Sequence, residues 1–103
     1  MYIAGEIMDD WIYFATYEAS TSAIRALPSS FTELYITASS HSLGGSDVHF
    51  IIPRAIIPDV NSIDQSLGLV EPLNDVFGIL RIWSGGMVCF NYSAGSYYDV
   101  YYR

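Results

Sequence analysis

Hydrophobic and polar residues alternate over short stretches of this chain, a pattern typical of β-strands. The clearest stretch is FTELYITAS, residues 31–39. Its two faces are Phe31, Glu33, Tyr35 and Thr37 on one side, and Thr32, Leu34, Ile36 and Ala38 on the other. Neither face is fully polar, so we expect both faces of this strand to be covered.

Runs of β-branched and aromatic residues between turn-forming residues predict further strands. The expected strands are WIYFATYEAS (11–20), AIRAL (23–27), FTELYITAS (31–39), DVHFIIPRAII (47–57), VFGILRIW (76–83), MVCFNY (87–92) and YYDVYYR (97–103). Pro53 cannot donate a ladder hydrogen bond, so it marks an edge strand, a bulge or a strand end. Residues 58–75 form a polar connection that holds a short helical turn or a meandering strand.

Glycine-containing turns separate several of these strands. They are SHSLGGS (40–46), SGG (84–86) and SAGS (93–96). The last two turns join three successive strands, which predicts a meander. About seven short strands at this spacing indicate an all-β fold, either a sandwich or a barrel. A chain of 103 residues is near the usual size of one domain.

The last expected strand is the most aromatic part of the chain. Tyr97, Asp99, Tyr101 and Arg103 face one way, and Tyr98, Val100 and Tyr102 face the other. An edge strand with this composition would invite aggregation. We therefore expect the strand to lie inside a sheet or at a contact between subunits.

The composition is unusually poor in charge. Hydrophobic residues make up 51% of the chain and charged residues 15%, whereas about a quarter of the residues are charged in an average soluble domain. No stretch approaches the roughly 18 apolar residues of a membrane helix. We therefore expect an oligomer with large buried contacts and no membrane insertion.

The charge that is present argues against nucleic acid as a partner. The net charge is −7, there is no lysine, and the four arginines are widely spaced. Binding to a phosphate backbone depends on clustered lysine and arginine.

Few residues suggest a metal site or catalysis. Cys89 is the single cysteine, which excludes an internal disulfide, and its apolar neighbours predict a buried side chain. His41, His49 and Asp47 form a conceivable metal site, but solvated loop residues are the favoured interpretation. The paired glycines do not form a phosphate-binding loop, and no nucleophile motif or close carboxylate pair is present. We expect no metal, no cofactor and no enzymatic activity.

The aromatic residues leave two interpretations open. Trp11, Trp83 and the tyrosines are suited to stacking on sugar rings, and equally to packing in the core or between subunits. Packing is the favoured interpretation for the two tryptophans and for the tyrosines of the last strand.

Four segments in order resemble one family. DDWIYFATYEASTSAIRALPSSFTELYITA, with its early Trp11 and its LPSS (27–30), resembles the start of the C-terminal tip domain of bacteriophage tail fibres and related tail proteins. FIIPRAII resembles a strand of that family ending in Ile-Pro, and FGILRIWSGGMVCFNY resembles its paired strands. DVYYR resembles its habitual ending.

The resemblance implies an antiparallel, jelly-roll-like β-sandwich head domain. Residues 1–103 would form this single domain, as the C-terminal fragment of a longer fibre protein. It also implies a homotrimer at the tip of the fibre on the virion, outside the cell, that binds a bacterial surface polysaccharide or protein. The chain shows no coiled coil or collagen-like repeat before the domain. Two alternatives stay open: a carbohydrate-binding module of a secreted enzyme, and a structural tail or baseplate subunit without a sugar site.

Candidate functional residues follow from loops and aromatic positions, because loops carry function on rigid β scaffolds. The loops are residues 39–46, 59–65 and 93–97. The candidate ligand-binding residues are His41, Asn61, Asp64, Trp83 and Tyr97. The candidate subunit-interface residues are Tyr98, Tyr101, Tyr102 and Arg103.

Overall fold

The part of the chain that the structure describes folds into two antiparallel β-sheets with almost no helix, which confirms the all-β prediction. The structure, a computed structural model, describes residues 11–18, 23–40, 47–70, 79–90 and 96–103. Within these ranges the strands are β1 (Ile12–Glu18), β2 (Glu33–Ser40), β3 (Asp47–Pro53), β4 (Leu67–Val70), β5 (Ile79–Trp83), β6 (Gly86–Phe90) and β7 (Ser96–Tyr102). The same part of the chain contains no helix long and apolar enough to cross a membrane.

The larger sheet has four strands in the order β1-β7-β2-β3. Strand β7 pairs antiparallel with β1 on one side and with β2 on the other. The aromatic C-terminal strand therefore lies inside a sheet. This was one of the two predicted positions, the other being a contact between subunits.

The smaller sheet has three strands in the order β4-β5-β6. Strands β5 and β6 form a tight hairpin in which Trp83 is paired with Gly86. Gly86 has a φ of 145°, a backbone conformation that glycine adopts without a steric penalty. The predicted turn at residues 84–86 is confirmed.

The predicted C-terminal meander is wrong. β7 does not continue the β5–β6 hairpin, because it is inserted between β1 and β2 of the other sheet. There its alternate side chains reach the core on one side, and both of its edges are hydrogen-bonded. The predicted turn at residues 93–96 falls mostly outside the described residues.

Two other predictions need adjustment. The expected strand at residues 23–27 is reduced to a single antiparallel bridge, in which Arg25 and Met87 exchange two backbone hydrogen bonds of 2.9 Å. Residues 58–75 were expected to hold a helical turn or a strand, and the described part holds both. A 3-10 turn spans Ile63–Gln65 and is followed by β4.

Pro53 behaves as predicted, since it is the last residue of the edge strand β3. The backbone then turns through a 3-10 segment, Arg54–Ile56. This segment removes the chain from the sheet and leads it towards the β5–β6 turn.

Both sheets contribute to one hydrophobic core. Its buried members are Leu34, Ile36, Ile52, Leu80, Ile82, Met87, Cys89, Tyr98 and Val100. Leu34 and Ile36 lie two residues apart on β2, as do Tyr98 and Val100 on β7, so strand alternation places each pair on the core side. Cys89 is fully buried, as predicted.

Candidate functional site

The face of the four-stranded sheet that points away from the core carries a row of large side chains. Tyr13, Tyr101, Tyr35 and Ile51 are direct cross-strand partners on β1, β7, β2 and β3. We call these four residues the aromatic row. The row crosses every strand of the sheet.

A bulge in β1 places Tyr13 and Thr16 on the same face of the sheet. The pairing of β1 with β7 shifts between Tyr13 and Ala15, so that Phe14 is the extra residue. Bulges of this kind re-aim the side chains that follow them. As a result Tyr13 and Thr16, three residues apart, lie on the same outer face, and their hydroxyl oxygens are 2.7 Å apart.

The rings of the aromatic row contact one another. The ring centroids of Tyr13 and Tyr101 are 5.6 Å apart and those of Tyr35 and Tyr101 are 5.7 Å apart. These separations lie in the range of about 4.5–7 Å over which aromatic pairs are favourable. Tyr35 is only 4% exposed, whereas Tyr13 and Ile51 at the two edges are 55% and 50% exposed. The row therefore has a fixed centre and accessible ends.

Trp11 and Arg103 lie beside the centre of the row, next to Tyr35. The Trp11 ring lies 5.4 Å from that of Tyr35, and the Arg103 guanidinium carbon lies 4.2 Å from the Trp11 ring centroid. Nε of Arg103 also donates to Oε1 of Glu33 at 2.8 Å. Trp11 is 6% exposed, in line with the expectation that it packs.

A row of polar side chains runs beside the aromatic row. Thr16, Asp99, Thr37 and His49 are cross-strand partners on the same four strands. We call them the polar row. Oγ1 of Thr16 donates to Oδ1 of Asp99 at 2.5 Å. Because a hydroxyl has one hydrogen, Tyr13 must then donate to Thr16, which gives a directed chain from Tyr13 through Thr16 to Asp99.

The two rows are also joined at β3. The Tyr35 hydroxyl lies 2.7 Å from Nδ1 of His49, and the two rings are stacked with an interplanar angle of 18°. The exposed imidazole is therefore held in one orientation beside the aromatic row.

The electrostatics of this face favour neutral or hydroxyl-rich ligands. Arg103 is paired with Glu33, so the Asp99 carboxylate is left as the main charge beside the aromatic row. Partial burial, and then the neighbouring Asp99 and Tyr13, raise the pKa of Tyr101. Its hydroxyl stays protonated at neutral pH and can donate a hydrogen bond.

An aromatic surface beside hydrogen-bonding groups matches the chemistry of a sugar. A saccharide ring has an apolar face of C–H groups and a rim of hydroxyls, so it can stack on Tyr101 while its hydroxyls reach Asp99 or Thr37. The same surface, rich in tyrosine, tryptophan and arginine, also has the composition of a protein-contact surface.

The predicted site residues are distributed over both sheets. Tyr97, Tyr101 and Arg103 lie on the outer face of β7 or at its end, on the side of the aromatic row. Tyr98 and Trp83 are 1% and 4% exposed, so neither ring presents a surface to a ligand or a neighbouring chain. Tyr102 is half-buried against the core.

The loop candidates lie elsewhere. Asn61 and Asp64 are exposed in the β3–β4 connection, which Ser84 anchors through hydrogen bonds to the carbonyls of Pro58 (2.8 Å) and Val60 (3.0 Å). That connection lies beside the three-stranded sheet, whereas Tyr97 lies on the four-stranded sheet. The predicted residues Asn61, Asp64 and Tyr97 therefore do not form one site. His41 lies outside the described residues. Among the side chains that the structure describes, no three His, Cys, Asp or Glu residues are grouped to hold a metal ion.

Sequence reasoning missed Tyr13, Thr16, Asp99 and Tyr35 as members of one surface. Strand alternation places each of them on a face, but only the pairing of strands shows which faces adjoin. Thr16 and Asp99 are 83 residues apart in the chain.

Comparison of the chain with protein-family models, with curated proteins and with solved structures gave no match.

Proposed function

We propose that this chain is a receptor-recognition domain, the C-terminal tip domain of a bacteriophage tail fibre. It binds a bacterial surface polysaccharide through the aromatic row and the polar row. The observation that carries this proposal is the adjacency of the two rows on one accessible face. The tail-fibre assignment itself is supported by the sequence resemblance, and it places the domain on the virion, outside the cell.

The proposed fold is a jelly-roll-like antiparallel β-sandwich, in which the two sheets face each other. The shared core supports this arrangement, since Leu34 and Val100 of one sheet and Leu80 and Met87 of the other belong to one buried cluster. In such a fold the outer face of the four-stranded sheet is free to serve recognition.

The polysaccharide is proposed to be neutral. The chain carries a net charge of −7, and the one arginine beside the aromatic row, Arg103, is already paired with Glu33. A polyanion would approach Asp99 without a compensating cation, whereas hydroxyl groups can donate to that carboxylate. The domain acts by binding and carries out no chemical step.

The proposed assembly is a homotrimer. Its support is the composition, together with large apolar side chains outside the two rows that are more than half exposed: Ile12, Ile24 and Ile56. Burial of such side chains between copies would stabilise an assembly of three chains.

A carbohydrate-binding module of a secreted enzyme is the second candidate. One observation favours it: both rows are complete within a single chain, so sugar binding does not need a trimer. The two candidates differ in assembly, because such a module works as a monomer.

The test combines solution mass with binding of neutral oligosaccharides, on the native chain, Tyr101→Ala and Tyr101→Phe. A trimeric native chain that binds, with binding lost in Tyr101→Ala and retained in Tyr101→Phe, supports the proposal. Gln65→Ala is the control, since Gln65 is exposed and belongs neither to the two rows nor to the side chains proposed to lie between copies.

Other outcomes separate the alternatives. A monomer that binds supports the carbohydrate-binding module. A trimer that binds no saccharide points to a structural tail subunit. A Tyr101→Ala variant that falls to a monomer makes the aromatic row a subunit contact and overturns its role as the receptor surface.

A further inference from the structure

A groove at one end of the molecule forms a second surface, separate from the aromatic and polar rows. We propose that it binds an acidic saccharide unit, a sugar ring that carries a single carboxylate, with Arg54 as the anion-binding residue. This goes beyond the proposed receptor surface and uses none of its residues.

Three separate segments form the groove. They are the loop before β2, the 3-10 segment and connection after β3, and the β5–β6 turn. The lining side chains that bear on ligand binding are Leu27, Pro28, Phe31, Arg54, Ile57 and Asp59. The cavity volume is about 430 Å³, within the range of about 300–1,000 Å³ that is usual for small-molecule sites.

Arg54 is positioned for an anion. Its guanidinium carbon lies 4.8 Å from the centre of the Phe31 ring, and its backbone N–H donates to the carbonyl of Thr32 at 2.8 Å. Stacking occupies the face of a guanidinium and leaves the N–H groups along its edge available. Arg54 makes no ion pair within the described ranges, although Asp59 lines the same groove. The planar fork is therefore open to a carboxylate, which it can bind with two parallel hydrogen bonds.

Asp59 restricts which anion fits. A ligand with several negative charges would place one of them near this exposed carboxylate, which is unfavourable. A ligand with one carboxylate and several hydroxyls satisfies both groups, since hydroxyls donate to Asp59 while the carboxylate accepts from Arg54. Sugar acids have this combination of groups.

The remaining walls suit the apolar face of a sugar ring. Leu27, Pro28 and Ile57 present aliphatic surface to the groove. Pro28 is buried and the other two are half-buried, so their positions are set by packing. Polar groups contribute more of the groove lining than these aliphatic side chains, which suits a ligand that carries several hydroxyls.

The groove is held in shape by hydrogen bonds between its segments. The N–H of Ser84 donates to the carbonyl of Pro58 at 2.8 Å, and its hydroxyl donates to the carbonyl of Val60 at 3.0 Å. The N–H of Arg54 joins the 3-10 segment to the loop before β2, since it donates to the carbonyl of Thr32 at 2.8 Å. A site that is formed before the ligand arrives loses less affinity to ordering.

The experiment is an NMR titration of the full chain with glucuronic acid, glucose and acetate as matched probes. We expect saturable shifts at groove residues with glucuronic acid, and at least tenfold weaker binding of glucose and of acetate. Arg54→Gln should weaken glucuronic acid binding at least tenfold. Arg81→Gln, which removes the same charge from β5 outside the groove, should leave it unchanged.

Asp59→Ala separates the saccharide part of the proposal from simple anion binding. It should reduce the preference for glucuronic acid over acetate, because it removes the acceptor of the hydroxyls. Acetate binding as tight as glucuronic acid, or an Arg54→Gln variant that is folded and binds normally, would overturn the proposal. Backbone amide spectra of each variant establish that it is folded. None of these outcomes bears on the Tyr101 experiment, since the two surfaces share no residue.

Discussion

The Tyr98 hydroxyl and the Cys89 thiol are neighbours in the buried core, and each affects the pKa of the other. Tyr98 belongs to β7 and Cys89 to β6, so this contact joins the two sheets. Both groups are neutral when protonated, and burial raises the pKa of each above its ordinary value.

This pair predicts a loss of stability at alkaline pH. Burial raises the pKa of Cys89 from 9.0 to about 12, offset in part by the hydrogen bond from Tyr98 and by the charge of Arg25. The unfolded chain loses the thiol proton above pH 9 while the folded chain retains it. The stabilisation is therefore complete below pH 9 and is lost as the pH rises towards about 12.

Urea unfolding at pH 8 and pH 10 measures this loss. The free energy of unfolding should fall by about 1 kcal/mol over that interval, since one pKa unit corresponds to about 1.4 kcal/mol. Cys89→Ala should show a smaller fall. An equal fall in both proteins would assign the alkaline sensitivity to other groups.

Gly86 is predicted to be intolerant of substitution. Its φ is 145°, and a Cβ placed there would lie 2.6 Å from the carbonyl oxygen of Arg25. Gly86→Ala should lower the free energy of unfolding by roughly 2 kcal/mol or more, because it adds backbone strain and displaces the Arg25–Met87 bridge.

Gly68→Ala is the matched control in the same sheet. Its Cβ would come no closer than 3.4 Å to the flexible Arg81 guanidinium. Thermal unfolding should show a change below about 0.5 kcal/mol for this variant. Equal destabilisation by the two substitutions would contradict the special role of Gly86.

Truncation of Val100 on the central strand is predicted to lower the free energy of unfolding far more than truncation of the exposed Ile12 on the edge strand. Val100 is 0% exposed and Ile12 on β1 is 55% exposed. Val100→Ala should destabilise the chain by roughly 1–3 kcal/mol through lost burial and a residual cavity. Ile12→Ala removes a larger side chain but should cost less than about 1 kcal/mol in a monomeric state. If Ile12→Ala instead lowers the solution mass, Ile12 lies at a subunit contact.

Arg103 is predicted to stabilise the fold mainly by covering the Trp11 ring, and less by its ion pair with Glu33. Its ion pair with Glu33 is partly exposed, with 40% and 31% of the two side chains accessible, so we expect less than about 1 kcal/mol of coupling. Glu33→Ala should therefore cost little and its effect should diminish in 1 M salt. Arg103→Ala should cost more at every salt concentration, because it also uncovers the Trp11 ring that lies 4.2 Å away. A double-mutant cycle in which Glu33→Ala costs as much as Arg103→Ala would reverse this ranking.

Several features of the fold could be predicted from local patterns. The alternation along residues 97–103 assigned each side chain to its correct face, and Pro53 marked the end of an edge strand. The apolar neighbours of Cys89 indicated its burial. Each of these features depends on a few adjacent residues, because the alternation of side chains along a strand is determined by the local backbone.

Other features could not be predicted in this way. Alternation placed Tyr98 and Tyr101 on opposite faces of the strand, but it did not show that the face of Tyr98 is the core and that Tyr101 lies beside Tyr13. The bulge at Phe14, which places Tyr13 and Thr16 on one face, has no signature in the surrounding residues. The groove around Arg54 combines segments that share no pattern.

The sequence by itself therefore determined the type of structure, the strand faces and the absence of clustered positive charge. The tertiary structure alone decided that β7 lies between β1 and β2, and so that Asp99 meets Thr16 and Tyr101 meets Tyr13. The physical reason is the range of the interactions. Alternation follows from the backbone of each strand, whereas strand order follows from the joint burial of side chains that are distant in the chain.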